Sequence, residues 1–538
     1  MTEKSRDQKS LRIAVAQTNA VAGDVAGNLA RARRALGEAQ RQGADLLVFA
    51  ELFLAGFTPE DLVLGETFLH ACAAAVETLA GWTGQGGPGI VIGFPRQDGR
   101  AKRNSVAVID GGRVIAIRDK VDLQPEESGY FSAGAMTGPV GFRGVRLGIA
   151  IGRDLSGELG VCETLAESGA DMLIVPAVSA YGGQTLDLRH QQVLRRVIET
   201  DLPLVYANAL GGNGEHVFDG AGFGFNADRS LAFQMAPFDE GLATCDWEQT
   251  DEGWICRQGR IEDLPGPDEA DYRACLLGLR DHVEKNAVRT VLVELSGTIG
   301  AALSAALAVD AVGADRVRTV TISAHSYEPG LLETVKAQAA ALGCRHDVVP
   351  VEAAQRGLAA AMAGLAPQGG AERLLEAARG SILVALADGL EAMIVAAADR
   401  SDIAVGAFGL QTGTYGSFHP IRDLFHGRVR DLLRWRNRYR TPDALGPAGA
   451  FVSEDILNHI PPGEADLDGI LECLLDRNLG AADIAARGFA AADVARIAGL
   501  VYRAEGRRRR VLPGVGLMRN DGRDERRYPL NSRFETGE

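Results

Sequence analysis

The sequence predicts an α/β chain of two domains: a pair of stacked sheets covered by helices, then a doubly wound α/β sheet. Three observations carry that expectation. Short apolar strands crowd the N-terminal half with helical spacing in only some of the gaps. A charged stretch with Pro and Gly but no apolar period, RQGRIEDLPGPDEADY (257–272), then interrupts the pattern. Beyond it, strand and helix patterns alternate regularly. The predicted divisions are residues 11–256, a linker over 257–272, and residues 273–534.

LRIAVAQ (11–17) has the length and composition of a buried strand. Leu29, Ala32, Leu36 and Ala39 follow at helical spacing across 27–42, and Leu46 to Ala50 form a second apolar run. The unit is strand, helix, strand. Further strands are expected at 89–94, 105–110, 114–117, 145–151, 172–176 and 202–208, and helices at 158–169 and 185–200. After the linker, 273–287 reads as a helix, 290–295 as a parallel strand, and SGTIG as a small-residue turn into a helix near Ala301. Strands at 317–322, 347–351 and 393–397 then alternate with helices at 331–343 and 372–390. From about residue 445 the pattern is helical and polar, closing on Arg507 to Arg510 and RRYPLNSRF (526–534).

Composition removes whole classes of function. The 538 residues are 46% hydrophobic and 24% charged, which excludes a disordered or collagenous chain. Lys+Arg 56 against Asp+Glu 71 leaves a net charge of −15, opposing nucleic acid or an anionic membrane as the main partner. Seven scattered cysteines without a CxxC pair predict neither a disulfide frame nor a structural zinc. The polar MTEKSRDQKS runs straight into LRIAVAQ, which predicts no signal or transit peptide and a cytosolic protein. The most apolar long stretch, SILVALADGLEAMIVAAA, carries Asp388 and Glu391, so no membrane span is expected.

Glu51 stands at the C-terminal end of a predicted strand, where α/β folds place ligand-contacting groups. ELFLAGFTPEDL (51–62), RDKVDL with Lys120, and LGIAIGRDL (147–155) follow the order and approximate spacing of the nitrilase superfamily, and this part of the chain resembles its glutamine amidohydrolases. The resemblance implies Glu51 as general base and Lys120 as stabiliser of the developing oxyanion. It also calls for a cysteine nucleophile where this sequence has Gly152, the family's Cys-Glu-Asp reading Gly152, Arg153, Asp154. Cys162 lies ten residues on, ~15 Å of helical rise away, and is expected to be a helix-core thiol.

The second half extends the resemblance. GLRDHVEKN (278–286), SGTIGAA (296–302), ERLLEAARG (372–380), AAADRSDIAVG (396–406), SFHPIRDL (417–424) and RRYPLNSRF are similar to segments of the glutamine-dependent NAD synthetases, over about 11–534. That resemblance implies an αββα nitrilase-like sandwich and an adenine-nucleotide-hydrolase-like domain. It also implies ATP and magnesium as cofactors, deamido-NAD, NAD or an adenine nucleotide as ligand, and a homo-oligomer. The family's pyrophosphate loop Ser-Gly-Gly-Ile-Asp-Ser corresponds here to Ser296, Gly297, Thr298, Ile299, Gly300 and Ala301, so a glycine, a carboxylate and a hydroxyl have changed. Its Thr-Thr-Gly-Asn-Lys-Ser-Glu has become Ala396, Ala397, Ala398, Asp399, Arg400, Ser401 and Asp402, and the aspartate of a later Gly-Asp pair is Gly413.

Joint loss at both sites predicts a chain that keeps the scaffold and not the chemistry, a binding or regulatory paralog with no firm cofactor. A synthetase fed by free ammonia, or a structural partner of a true synthetase, are the alternatives. A chain selected for ammonia-dependent synthesis could lose the cysteine at position 152 but would keep an acidic residue at 300 and hydroxyls at 396 and 397, where this sequence has Gly300, Ala396 and Ala397.

Overall fold

The computed structural model describes residues 9–57, 59–324, 330–363, 371–409, 413–414, 416–458 and 464–517, with backbone alone at 371–373. The expected RRYPLNSRF segment lies outside the described residues. The chain divides into two units, Met1–Asn213 with Val217–Pro265, and Gly214–His216 with Gly266–Glu538.

The first unit contains β1 (Ser10–Gln17), β2 (Leu46–Val48), β3 (Gly89–Asp98), β4 (Ala101–Asp110), β5 (Arg113–Asp119), β6 (Val140–Phe142), β7 (Val145–Ile149) and β8 (Met172–Ala177). It continues through β9 (Leu204–Asn208), β10 (Leu210–Asn213), β11 (His216–Asp219), β12 (Phe223–Phe225), β13 (Leu231–Gln234), β14 (Gly241–Thr250) and β15 (Gly253–Cys256). Its helices are α1 (Val25–Arg41), α2 (Glu66–Thr83), α3 (Val161–Glu167) and α4 (Thr185–Thr200). The strands build a seven-stranded sheet ordered β15-β14-β1-β2-β3-β4-β5 and a six-stranded sheet ordered β13-β12-β9-β8-β7-β6.

Alternation along the strands explains the layering. Ile13, Val15, Val48 and Val91 of the larger sheet pack face to face with Leu147, Ile149, Ile174 and Val205 of the smaller one. Their neighbours Ala14, Leu47, Ile90 and Ile92 turn outward to Leu36, Val76 and Leu79 of α1 and α2. On the far side Leu173, Val175 and Leu204 meet Cys162, Leu165, Val193 and Val197 of α3 and α4. The unit is the expected αββα sandwich. Helix α2 and the hairpins from β10 to β15 are additions to the expected elements.

The second unit opens on α5 (Pro267–Lys285). That helix begins inside the stretch expected to be linker: Pro267 occupies its first turn and Asp268 and Glu269 face its positive end, so charges that looked like linker are helix-start residues. The sheet consists of β16 (Thr290–Glu294), β17 (Val317–Ser323), β18 (Arg345–Pro350), β19 (Ala392–Val395) and β20 (Ser417–Phe418), in the order β18-β17-β16-β19-β20, and every pairing is parallel. The helices α6 (Ile299–Val312), α7 (Leu331–Leu342), α8 (Glu352–Ala361), α9 (Ala371–Gly389), α10 (Arg400–Val405) and α11 (His426–Arg438) connect and cover it.

Leu292, Val320, Ile322 and Ile394 pack on α8 and α9, and α6 packs against β16, β17 and β19. Gly300 through Val312 of α6 are all buried, so this helix has no solvent side. Its one carboxylate, Asp310, accepts hydrogen bonds from the Tyr272 hydroxyl of α5 and the Arg436 guanidinium of α11. The strand order reverses between β16 and β19, which makes the mouth between their C-terminal ends the topological switch point. Beyond α11 the chain forms helices around Ile470, Ile484, Val494 and Ile497, of which Ala491–Arg503 is the longest among the described residues. No helix among the described residues is long and apolar enough to cross a membrane.

Candidate functional site

In the first unit the sequence candidates converge. The chain turns abruptly after β2, and this turn brings Ala50 to Leu52 so close to Gly93 of β3 that a Cβ there would stand 2.2 Å from the Leu52 nitrogen. Glycine at 93 therefore lets the turn place Glu51 at the sheet end. Glu51 Oε1 accepts from Lys120 Nζ at 2.8 Å and from Asn104 Nδ2 at 2.7 Å. Lys120 Nζ also donates to Glu127 Oε1 at 2.8 Å. Glu51 and Lys120 are 2% and 3% exposed, so the charges are held by one another and not by water. Burial works to lower Lys120, but Glu51 and Glu127 outweigh it and hold the ammonium above its ordinary range.

Gly152 sits beside this cluster, three residues past the end of β7, in the left-handed region at φ +50°. A Cβ at Gly152 would lie 2.3 Å from Glu51 Oε2 and 3.1 Å from Lys120 Nζ. The carboxylate occupies the place where a nucleophile's side chain would begin. Asp154, which is buried, accepts backbone hydrogen bonds from Val121 at 3.0 Å, Asp122 at 2.7 Å and Ile151 at 3.0 Å, and so ties the segment after Lys120 to the turn carrying Gly152. Cys162 is fully buried in the α3 core, with its thiol pushed up to about 12 by burial. It is a core residue, as its helical position implied.

Asn104 and Glu127 were not singled out from sequence. Asn104 arrives from the middle of β4, where nothing distinguishes it from any strand polar residue. Glu127 sits on a single turn over Glu127–Gly129, and its one signal is the acidic pair Glu126 and Glu127 soon after Lys120.

In the second unit the two candidate segments flank the switch point. Gly297, at φ +87°, turns the chain out of β16, and Thr298 caps α6: its Oγ1 accepts from the Ala301 N–H at 3.2 Å and lies 3.2 Å from Ser296 Oγ. One amide that could meet an anion is thereby already bonded. A Cβ on Gly300 would stand 2.4 Å from the carbonyl oxygen of Ala397, so the segment after β19 lies directly against the helix start. Ser304 Oγ donates to the Ala396 carbonyl at 3.2 Å in the same contact. Ala301 is buried and offers a methyl. A magnesium pyrophosphate does not fit this turn, which presents no carboxylate and has no room for one at 300.

Ser401 is also turned away from a ligand role: its hydroxyl donates to Asp468 Oδ1 at 2.6 Å and accepts the His426 N–H at 3.1 Å, joining α10 to α11. Asp402 lies across from His426, with 3.4 Å between Oδ1 and Nε2. Asp399, named only as one position of the altered segment, and His426, which has no local signal in the sequence, complete that group.

A sandwich with a Glu-Lys-Glu cluster at its sheet end, and a doubly wound unit with strand-to-helix turns at its switch point, define a carbon-nitrogen hydrolase domain paired with an NAD synthase domain. The family models for these two, carbon-nitrogen hydrolase and NAD synthase, match residues 12–247 and 272–511. The chain is 35% identical to the glutamine-dependent NAD(+) synthetase of Rhodobacter capsulatus over 97% of this chain and 98% of the relative. It is 31% identical to that of Xylella fastidiosa strain Temecula1 over 97% of this chain and 99% of the relative. The solved glutamine-dependent NAD+ synthetase of Acinetobacter baumannii, in complex with adenosine diphosphate, superposes with a TM-score of 0.77 at 26% identity, covering 97% of this chain and 98% of that one. The chain belongs to the glutamine-dependent NAD(+) synthetase family.

Proposed function

We propose that this member of the family keeps the scaffold of a glutamine-dependent NAD(+) synthetase without its chemistry and acts as a binding or regulatory paralog. The observation that carries the reading is Gly152, where the thiol is absent and the Glu51 carboxylate stands 2.3 Å from the place of its Cβ. Amide hydrolysis by this constellation needs an atom that attacks the carbonyl while Glu51 takes its proton and Lys120 faces the oxyanion. Glu51 and Lys120 remain, but nothing at 152 can form the acyl intermediate. Loss of a nucleophile that works as part of such a unit lowers turnover by ~10⁶-fold, or about 8 kcal/mol.

The second unit supports the same reading through Thr298, Gly300 and Ala301. With the α6 turn capped by its own threonine and closed by the Ala397 carbonyl, the ligand of the scaffold is a nucleotide held away from that turn, in the class of deamido-NAD, NAD or an adenine nucleotide. The relative from Acinetobacter baumannii was solved with ADP, which is the precedent for that class. The protein works as a homo-oligomer in the cytosol.

Two assays test this. Glutamate release from glutamine, with and without deamido-NAD and Mg-ATP, is expected to stay below ~10⁻³ s⁻¹, against the ~1–10³ s⁻¹ of ordinary enzymes. NAD formation from deamido-NAD, Mg-ATP and free ammonia is expected to be nil. Turnover in the second assay would replace the proposal with an ammonia-dependent synthetase.

A further inference from the structure

The group at the start of α10 and α11 has the composition and spacing of a divalent metal site, and no part of the function above uses it. Asp399 precedes α10, Asp402 lies in its first turn, and His426 begins α11. One ligand atom from each lies within 4.8 Å of the other two. Nε2 of His426 stands 3.2 Å from Asp399 Oδ1 and 3.4 Å from Asp402 Oδ1. Ligand atoms ~2.0–2.2 Å from a zinc-class ion at tetrahedral angles are ~3.3–3.6 Å apart, so the imidazole already stands near coordination separation from each carboxylate.

Three further observations distinguish this group from a chance collection of charges. Asp399 is 1% exposed, and its Oδ2 has no hydrogen-bond partner among the described residues, a costly arrangement for a buried carboxylate oxygen. The other ring nitrogen of His426, Nδ1, faces Glu464 Oε2 at 3.7 Å, the carboxylate-behind-imidazole arrangement that orients metal-binding histidines. The helix starts that carry the ligands are themselves clamped. Asp468 accepts from the Ser401 hydroxyl at 2.6 Å and from the Gly427 N–H at 2.7 Å, and Arg400 pairs with Asp476.

The geometry points to a site for one divalent transition-metal ion, held by Asp399, Asp402 and His426 with a fourth position open beside the half-exposed Asp402. Nitrogen and carboxylate ligands together select zinc, manganese, iron or cobalt over magnesium, which takes oxygen alone. The competing account is an imidazolium shared between two carboxylates, which uses the same distances without an ion.

Full-length protein, stripped with a chelator and desalted, is loaded with zinc, passed through gel filtration and assayed for bound metal, in parallel with His426→Gln and Asp402→Asn. The wild type is expected to retain one equivalent more than either variant, and a tenfold excess of magnesium is expected to leave that difference unchanged. Cobalt loading is expected to give a visible d–d band that both variants lose. Equal zinc in all three proteins, or a cobalt spectrum the substitutions leave untouched, would overturn the site. Should His426→Gln unfold by circular dichroism, Asp402→Asn at the exposed edge decides the outcome alone.

Discussion

Restoring the thiol by Gly152→Cys tests whether the pocket has closed around its loss. The new Cβ would lie 2.3 Å from Glu51 Oε2, whereas ordinary contacts begin near ~3.3 Å, so the carboxylate must retreat by about 1 Å. It cannot do so freely, because Oε1 of the same group is held at 2.7 Å by Asn104 and at 2.8 Å by Lys120. Weakening one such charge-assisted bond costs ~1.5–3 kcal/mol, and a non-glycine residue in the left-handed region adds ~1–2 kcal/mol. The variant is therefore expected to lose ~2.5–5 kcal/mol, which lowers the melting temperature of a domain of this size by ~5–20 °C. Differential scanning calorimetry reads the shift, and a glutamate-release assay on the same sample reads any rescue. A Gly152→Cys protein that melts with the wild type and turns over glutamine would refute both the displacement and the proposed loss of chemistry.

Other expectations follow from neighbouring geometry. Lys120→Met leaves the buried Glu51 without its cation, and the partly exposed Glu127 loses the same partner; the change is expected to cost ~3–5 kcal/mol, with part recovered by adding Glu51→Gln, read by thermal denaturation; a neutral single variant would contradict the pairing. His419 is buried and burial lowers its pKa to about 4, so its folded value lies below the unfolded value near 6.5. Its contribution is complete above about pH 6.5 and falls by ~3 kcal/mol as the pH drops towards 4. Denaturation of the wild type against His419→Gln across that window should show the difference, and parallel curves would disprove it. Gly300→Asp pushes a side chain against the Ala397 carbonyl, 2.4 Å from the Cβ position, and is expected to destabilise by ~1–3 kcal/mol without creating Mg-ATP binding by isothermal titration.

Much of the architecture is legible because so many strands are buried on both faces. Leu46–Val48, Met172–Ala177 and residues 204–207 read as near-continuous apolar runs for that reason. Helix α2 has no such contrast: its sequence ETFLHACAAAVETLAGWT is alanine-rich on several sides, and burial of Leu69, Cys72, Val76 and Leu79 becomes evident only once β3 lies beneath it. The start of α5 was hidden by chemistry that serves linkers and helix first turns equally well, proline followed by acids. At the site, Glu51, Lys120 and Gly152 stand in local strings that a reader can recognise. Asn104 and His426 acquire meaning from residues distant in the chain, Glu51 and Asp399, and a single sequence has no signal for such meetings. The filling of the thiol's place by Glu51 is likewise a fact of packing.

Helix α6, buried on every side, has a consequence for how the second unit gains its structure. An apolar cylinder with no polar face gains nothing from water at any stage before the sheet and its flanking helices enclose it, so it cannot persist as an early, independent element. Asp310 sharpens the point, since its carboxylate is satisfied only when Tyr272 and Arg436 have both arrived. The amides of α6 are thus placed to exchange hydrogen only through global opening, and slow exchange there would report the stability of the whole unit. Proteolytic removal of the segment after α10 would strip away α11, expose the helix and favour aggregation over a smaller folded remnant.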